Sequence, residues 1–250
     1  MSTRLDGWTV PCGAHRGEPR VRLLCFPYAG GSASAFRAWG EILPPDIEVH
    51  AIQPPGREFR LREEPFRRLE PLVDALTDAL EPLEDASVAF FGHSLGALVA
   101  YEHARALRRA GRPAPARLFV SAYRAPHLPQ TEPAMSEQPD EVFRNSLRTL
   151  DGTPEELLAN EELMTLVLPT LRADFELSDT YVHQPEAPLD CPISVFGGLA
   201  DHVTPRERLE PWREHTSAQC TVRMVPGGHF FVNDSRDLVL RAVFQDLMAA

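Results

Sequence analysis

One nine-residue run constrains this chain more than any other: Val88-Ala89-Phe90-Phe91-Gly92-His93-Ser94-Leu95-Gly96. Four apolar residues lead into a glycine, a serine follows two places on, and a second glycine opens a helical pattern over 96–110. Gly111 and Pro113 close that pattern. A Gly-x-Ser-x-Gly turn between a strand and a helix lifts the serine hydroxyl clear of the sheet. Strand and helix approach too closely there for side chains at 92 and 96. The five-residue pattern alone is weak, since at about 7% usage each for Gly and Ser it arises by chance in roughly one chain in ten of this length. The apolar strand before it and the helix after it make it specific. A tight turn with an incidental serine is the alternative, and it predicts no matching base and acid elsewhere.

The rest of the chain alternates short apolar runs with helical patterns, the signature of a mostly parallel sheet flanked by helices. Strands are predicted over 22–26, 47–52, 87–91, 118–122, 193–196 and 221–225. Helices are predicted over 69–83 and 237–248 besides 96–110. In 69–83 the residues Leu69, Leu72, Val73, Leu76, Leu80 and Leu83 share one helical face. The segment 123–188 breaks the alternation. It holds no convincing strand, several prolines, and helical patterns near 139–150, 154–160 and 161–181, the last with a kink or break expected at Pro169. It is predicted to be a helical lid insertion over the strand ends, where open α/β sheets bind ligands. The expected architecture is α/β, an α/β-hydrolase fold, with a core of 1–122 and 189–250 and a lid of 123–188.

A serine hydroxyl needs a base to take its proton and a third group to orient that base. In this fold the chain order is Ser, then Asp or Glu, then His. Asp201 follows the predicted strand 193–196 in a loop that opens Gly197-Gly198, and His229 follows 221–225 after Gly227-Gly228. All three residues fall beyond the C-terminal ends of strands, on one sheet edge, so Ser94, Asp201 and His229 are the expected catalytic triad. The neighbouring His93 should diverge from Ser94 and serve packing; His202 is expected to meet solvent or the lid. The oxyanion is expected to lie against the backbone amides of Leu95, the residue after the nucleophile, and of Ala29 in the loop Pro27-Tyr28-Ala29-Gly30-Gly31.

Composition narrows the rest. The 250 residues, 43% hydrophobic, suit one domain with a substantial core. Every basic residue is arginine, and the net charge of −11 disfavours general affinity for nucleic acid or an anionic membrane. No apolar run approaches the roughly 18 residues that a bilayer span needs. Residues 1–20 carry charges throughout and do not resemble a signal peptide. Cys12, Cys25, Cys191 and Cys220 form no C-x-x-C pair and no zinc-ligand spacing, so free thiols in a reducing cytoplasm are expected, with neither metal nor cofactor. No heptad pattern argues for an oligomer, so a monomer is the default.

The motifs, taken in order, resemble the type II thioesterases that accompany polyketide synthases and nonribosomal peptide synthetases. The marks are Phe26-Pro27-Tyr28-Ala29-Gly30-Gly31, Gln53-Pro54-Pro55-Gly56-Arg57, Phe91-Gly92-His93-Ser94-Leu95-Gly96, Gly152-Thr153-Pro154-Glu155 and Leu171-Arg172-Ala173-Asp174-Phe175, with the Asp201 and His229 loops. The resemblance implies an editing hydrolase that strips misprimed or stalled acyl groups from the phosphopantetheine arms of acyl or peptidyl carrier proteins. It implies also a mobile lid over an acyl chamber, for which Tyr28, Phe36, Leu95, Phe175 and Phe230 are the apolar candidates. The chain reads as free-standing, which favours editing over the product-releasing thioesterases usually fused to a synthase. Arg105, Arg108, Arg109 and Arg112 are either a docking patch for an acidic carrier or a solvated helix end. An esterase of small oxygen esters, an acyltransferase and a non-catalytic hydrolase-like protein are the rival functions.

Overall fold

A computed structural model describes residues 7–13, 18–83, 87–131, 133–150, 152 and 155–249. Residues 1–6 and 14–17 of the N-terminal stretch, and Thr153 and Pro154, lie outside the described residues.

The described strands form one seven-stranded sheet in the order β1-β3-β2-β4-β5-β6-β7. Its members are β1 (Thr9–Cys12), β2 (Val21–Phe26), β3 (Ile47–Ile52), β4 (Val88–His93), β5 (Arg117–Ser121), β6 (Ile193–Gly198) and β7 (Cys220–Val225). All neighbours pair in parallel except β1, which runs antiparallel to β3 with Thr9 opposite Ile52. The central strands β4, β5 and β6 are buried throughout, as a sheet covered on both faces requires. Alternate residues feed two cores. Leu24, Phe26, Phe90, Leu118 and Val120 point to one face. Leu23, Cys25, Ala89, Phe91 and Phe119 point to the other. The six predicted strands are all present. β1 is additional: four residues with Pro11 inside carry no readable periodicity, and proline is tolerated because the strand lies at an edge.

The helices are α1 (Trp39–Ile42), α2 (Leu69–Leu80), α3 (Leu95–Arg109), α4 (Asp140–Leu150), α5 (Glu155–Leu158), α6 (Glu161–Asp179), α7 (Arg206–Leu209), α8 (Phe231–Asp234) and α9 (Arg236–Met248). Between β5 and β6 the helices among the described residues are α4 to α6, and no strand of the sheet lies there. Phe143, Leu147, Leu158, Met164 and Leu171 give them a small core of their own. Of the kink or break expected at Pro169, the break is absent: α6 runs continuously across it. The backbone hydrogen bond that proline removes is offset locally by packing: Thr170 Oγ1 donates to the Gly56 carbonyl at 2.8 Å, and Leu171 and Asp174 are buried.

The arginine cluster is no free patch. Arg105 is buried and donates to Glu102 and to the carbonyl of Gln184. Arg108 reaches Glu186 and the carbonyls of Ala187 and Pro188, Arg109 reaches Glu186, and Arg112 donates to the Thr77 carbonyl. Arg105, Arg108 and Arg109 clamp the segment that returns from α6 to β6, and Arg112 ties the end of α3 to α2.

Chain direction places the site. After β2 the chain turns toward β3, and after β4 it turns the other way toward β5. A crevice forms where neighbouring loops diverge, at the C-terminal ends of β2 and β4. Ala29 follows the first strand and Ser94 the second.

Candidate active site

Ser94 sits between β4 and α3 at φ 51°, ψ −123°, a conformation L-residues rarely adopt. Both flanking glycines are sterically required. A Cβ on Gly92 would lie 2.2 Å from the Gly96 carbonyl oxygen, and one on Gly96 would lie 2.1 Å from that of Phe26. The Ser94 amide donates to the Ser121 carbonyl at 2.7 Å, which fixes the turn against β5.

His229 reaches Ser94 from the loop after β7. Its Nε2 lies 3.1 Å from Ser94 Oγ, and its Nδ1 lies 2.9 Å from Asp201 Oδ2. Asp201 is itself held: its Oδ1 accepts the amides of Val203 and Thr204 at 2.8 and 3.1 Å, and its Oδ2 accepts the Thr204 hydroxyl. Burial favours the neutral acid, but hydrogen bonds from His229 and Thr204 outweigh it and hold the carboxyl well below the usual range. A folded value depressed in this way contributes stability above the ordinary carboxylate range, and that contribution fades only as strong acid protonates the group. Asp201 is therefore ionised at every pH where the chain would be assayed. An anionic acceptor at Nδ1 favours the tautomer that carries its proton there and turns the Nε2 lone pair to the serine. Asp201→Asn should lower kcat by about 10⁴-fold, by analogy with serine hydrolases that lose the orienting anion, with a Tm change of only a few degrees. Steady-state kinetics and thermal melting check this, and a loss of under tenfold would remove Asp201 from the relay.

His93 does not compete. It is fully buried, its Nδ1 lies 2.8 Å from Ser121 Oγ, and its ring packs beside those of Tyr28, His229, Phe230 and Phe231. Burial, aided by the neighbouring His229, pushes its pKa well below the histidine range and keeps it neutral. His202 is exposed, as expected.

The amide of Leu95 opens α3, so it has no carbonyl of its own helix to bond. Ala29 occupies the second position of a turn closed by Gly31 N–H donating to the Tyr28 carbonyl at 2.8 Å. Gly30, third in the turn, has φ +75°, as a type II turn requires. Ala29, Ser94, Leu95 and His229 all face one cavity of about 470 Å³.

A nucleophile elbow, a shared carboxylate–imidazole–hydroxyl chain and a roofed cavity describe a serine hydrolase but leave the bond it cleaves open. Residues 21–247 match the thioesterase domain family. The chain belongs to that family. Over 234 residues the thioesterase is 43% identical to the gramicidin S biosynthesis protein GrsT of Aneurinibacillus migulanus, covering 94% of this chain and 91% of that one. Among solved structures, RedJ, a thioesterase from the prodiginine pathway of Streptomyces coelicolor, superposes with a TM-score of 0.85 at 42% identity, covering 93% and 90% of the two chains. BorB, the type II thioesterase of the borrelidin cluster, superposes at 0.89 with 34% identity, covering 98% of this chain and all of its own. The α/β-hydrolase fold and the resemblance to type II thioesterases are thereby borne out.

Of the expected pocket residues in the thioesterase, Tyr28, Leu95, Phe175 and Phe230 line the cavity, and the Tyr28 and Phe230 rings meet edge-on at 4.8 Å. Phe36 does not. Its ring is buried in the core against Trp39 and Phe91, because the loop after β2 continues into a 3-10 turn that packs on the far face of the sheet. Gly152 lies over Phe230, where a Cβ would fall 2.0 Å from the ring. Among the described residues no group of three or more His, Cys, Asp or Glu could hold a metal ion.

The chief feature that residue patterns missed is a buried ion pair. Arg57 Nη1 and Nη2 donate to Asp174 Oδ2 and Oδ1 at 2.6 and 2.8 Å. Both residues fall in the resemblance motifs, which was the only available signal. Their pairing spans 117 positions and follows no local rule.

Proposed function

We propose that this thioesterase strips aberrant or stalled acyl groups from the phosphopantetheine arms of acyl or peptidyl carrier proteins in polyketide and nonribosomal peptide synthesis. His229 takes the Ser94 proton as the hydroxyl oxygen adds to the thioester carbonyl. The Ala29 and Leu95 amides hold the resulting oxyanion, each worth about 10²–10³ in rate. The C–S bond breaks and the sulfur takes the proton from His229 to leave as the pantetheine thiol, which returns His229 to its neutral form. The departure needs little acid help because thiols ionise near pH 8.5, about the value of cysteine. Water, deprotonated by His229, then adds to the acyl-enzyme and releases the acid with Ser94 restored. Asp201 orients His229 and offsets its charge while it carries the proton. The helices of 123–188 act as the lid.

One observation carries this reading: the His229 ring lies between Asp201 and Ser94 at hydrogen-bond distance from each, at the wall of a cavity wide enough for a short acyl chain. Support for the editing context comes from the biosynthetic settings of GrsT, RedJ and BorB. A cytoplasmic monomer fits four free cysteines and a site complete within one chain; no helix among the described residues is long and apolar enough to cross a membrane.

The test compares acid release from a short acyl group loaded on a carrier protein, on free pantetheine, and as an oxygen ester. Carrier-bound thioesters should have the highest kcat/KM, by at least tenfold, because docking holds the arm at the site. Oxygen esters turning over best, without carrier preference, would make the chain a general esterase and leave only the serine chemistry standing.

A further inference from the structure

We propose that the buried Arg57–Asp174 pair positions the oxyanion loop, so that helix α6 of the insertion completes the site from above. This rests on Ala29 and Leu95 supplying the oxyanion donors.

The contacts converge on a single turn. Asp174, on α6, accepts the Gly30 amide at 2.7 Å through the same Oδ2 that accepts Arg57 Nη1. Arg57 Nη1 also donates to the Gly31 carbonyl at 3.0 Å, and its Nε donates to the Pro55 carbonyl at 3.2 Å. The far side of the loop is tied as well: Gln53 Nε2 donates to the Arg57 carbonyl at 3.1 Å, and Gln53 Oε1 accepts the Ala33 amide at 2.9 Å. Leu171, one turn before Asp174, closes over Gly30, where a Cβ would fall 2.4 Å from its Cδ2. The amide of Gly30 and the carbonyls of Tyr28 and Gly31 are thus engaged around Ala29, whose N–H points by turn geometry away from the closing hydrogen bond.

A buried ion pair is a poor device for stability, since a well-packed apolar pair is often as stable or more so. Its charge-assisted bonds instead fix geometry tightly. Here they hold Gly30 and Gly31, and through that turn the neighbouring Ala29 amide that has to meet a developing negative charge. Charge balance supports the same role. Arg57 offsets the Asp174 carboxylate, which faces the cavity and would otherwise repel the oxyanion. If α6 withdrew, Gly30 would lose its anchor and the hole its geometry, which ties hydrolysis to a seated insertion.

The experiment measures kcat, KM and Tm on the butyryl thioester of N-acetylcysteamine, together with Ki for an alkyl boronic acid that forms a tetrahedral adduct on Ser94. In the Arg57→Met/Asp174→Leu double variant kcat should fall about 10²-fold and boronate Ki should rise by a similar factor. KM should stay within about threefold and Tm within a few degrees, because substrate binding and packing are preserved. Asp174→Asn keeps an oxygen for the Gly30 amide and should recover about tenfold of the lost kcat. If the double variant melts early, Asp174→Asn carries the test alone, with kcat and boronate affinity expected to fall together by about tenfold. Unchanged kcat and Ki in a folded variant, or a KM rise with kcat intact, would overturn the positioning role. Failure of the wild-type chain to hydrolyse the thioester or bind the boronate would instead strike the functional reading beneath it.

Discussion

Ser94→Ala should reduce kcat for thioester hydrolysis by about 10⁶-fold and leave the melting temperature within a few degrees of the wild type, as in other serine hydrolases stripped of the nucleophile. The chemistry is lost outright because no second hydroxyl occupies the position 3.1 Å from His229 Nε2. The fold is spared for two reasons. Alanine occupies the backbone well at φ 51° at about the same cost as serine, and the hydroxyl makes no bond that supports packing. Steady-state turnover, labelling by a fluorophosphonate and the intact mass of the acylated chain read the effect together. Retention of more than about 1% of wild-type kcat would end the nucleophile assignment, since the oxyanion donors alone leave only a far smaller residue of activity.

The second large effect falls on folding. Gly96→Ala places a methyl group 2.1 Å from the Phe26 carbonyl oxygen and 2.6 Å from that of Pro27, and both are backbone atoms with no rotamer to yield. Helix α3 would have to withdraw from the end of β2 and disturb the loop of residues 27–31 that follows it. The expected cost exceeds about 4 kcal/mol, in the range reserved for severe packing faults, and urea unfolding at equilibrium measures it. Gly228→Ala is the matched control: a Cβ there meets nothing within 4 Å and the residue lacks a positive φ. It should change stability by less than about 0.5 kcal/mol, as open positions do. A Gly96→Ala loss below about 1 kcal/mol would mean that the strand and helix have slack at the elbow.

These two predictions come from the part of the molecule most legible in the sequence. The elbow is local: glycine spacing, an apolar strand and a helical pattern sit within about twenty residues. Asp201 and His229 were legible because each directly follows a strand, and parallel strands deliver their C-terminal ends to one edge whatever the loops do. Strand β1 was not legible, since four residues with a proline carry no period. Phe36 was misplaced and the ion pairs of the α3 arginines were missed for a shared reason. An aromatic ring or a guanidinium announces its chemistry in sequence but not its neighbour, and here the neighbours are Phe91 and Glu186.

Local pattern thus determined the parallel sheet, the strained serine turn and the placing of Ser94, Asp201 and His229 at one sheet edge, because backbone sterics and strand direction act over short stretches of chain. Only the tertiary structure decided which face Phe36 packs on, why α6 runs on through Pro169, and that Asp174 grips the loop bearing Ala29. Each of those depends on a contact between residues far apart in the chain, and such contacts exist only once the sheet has brought its loops together.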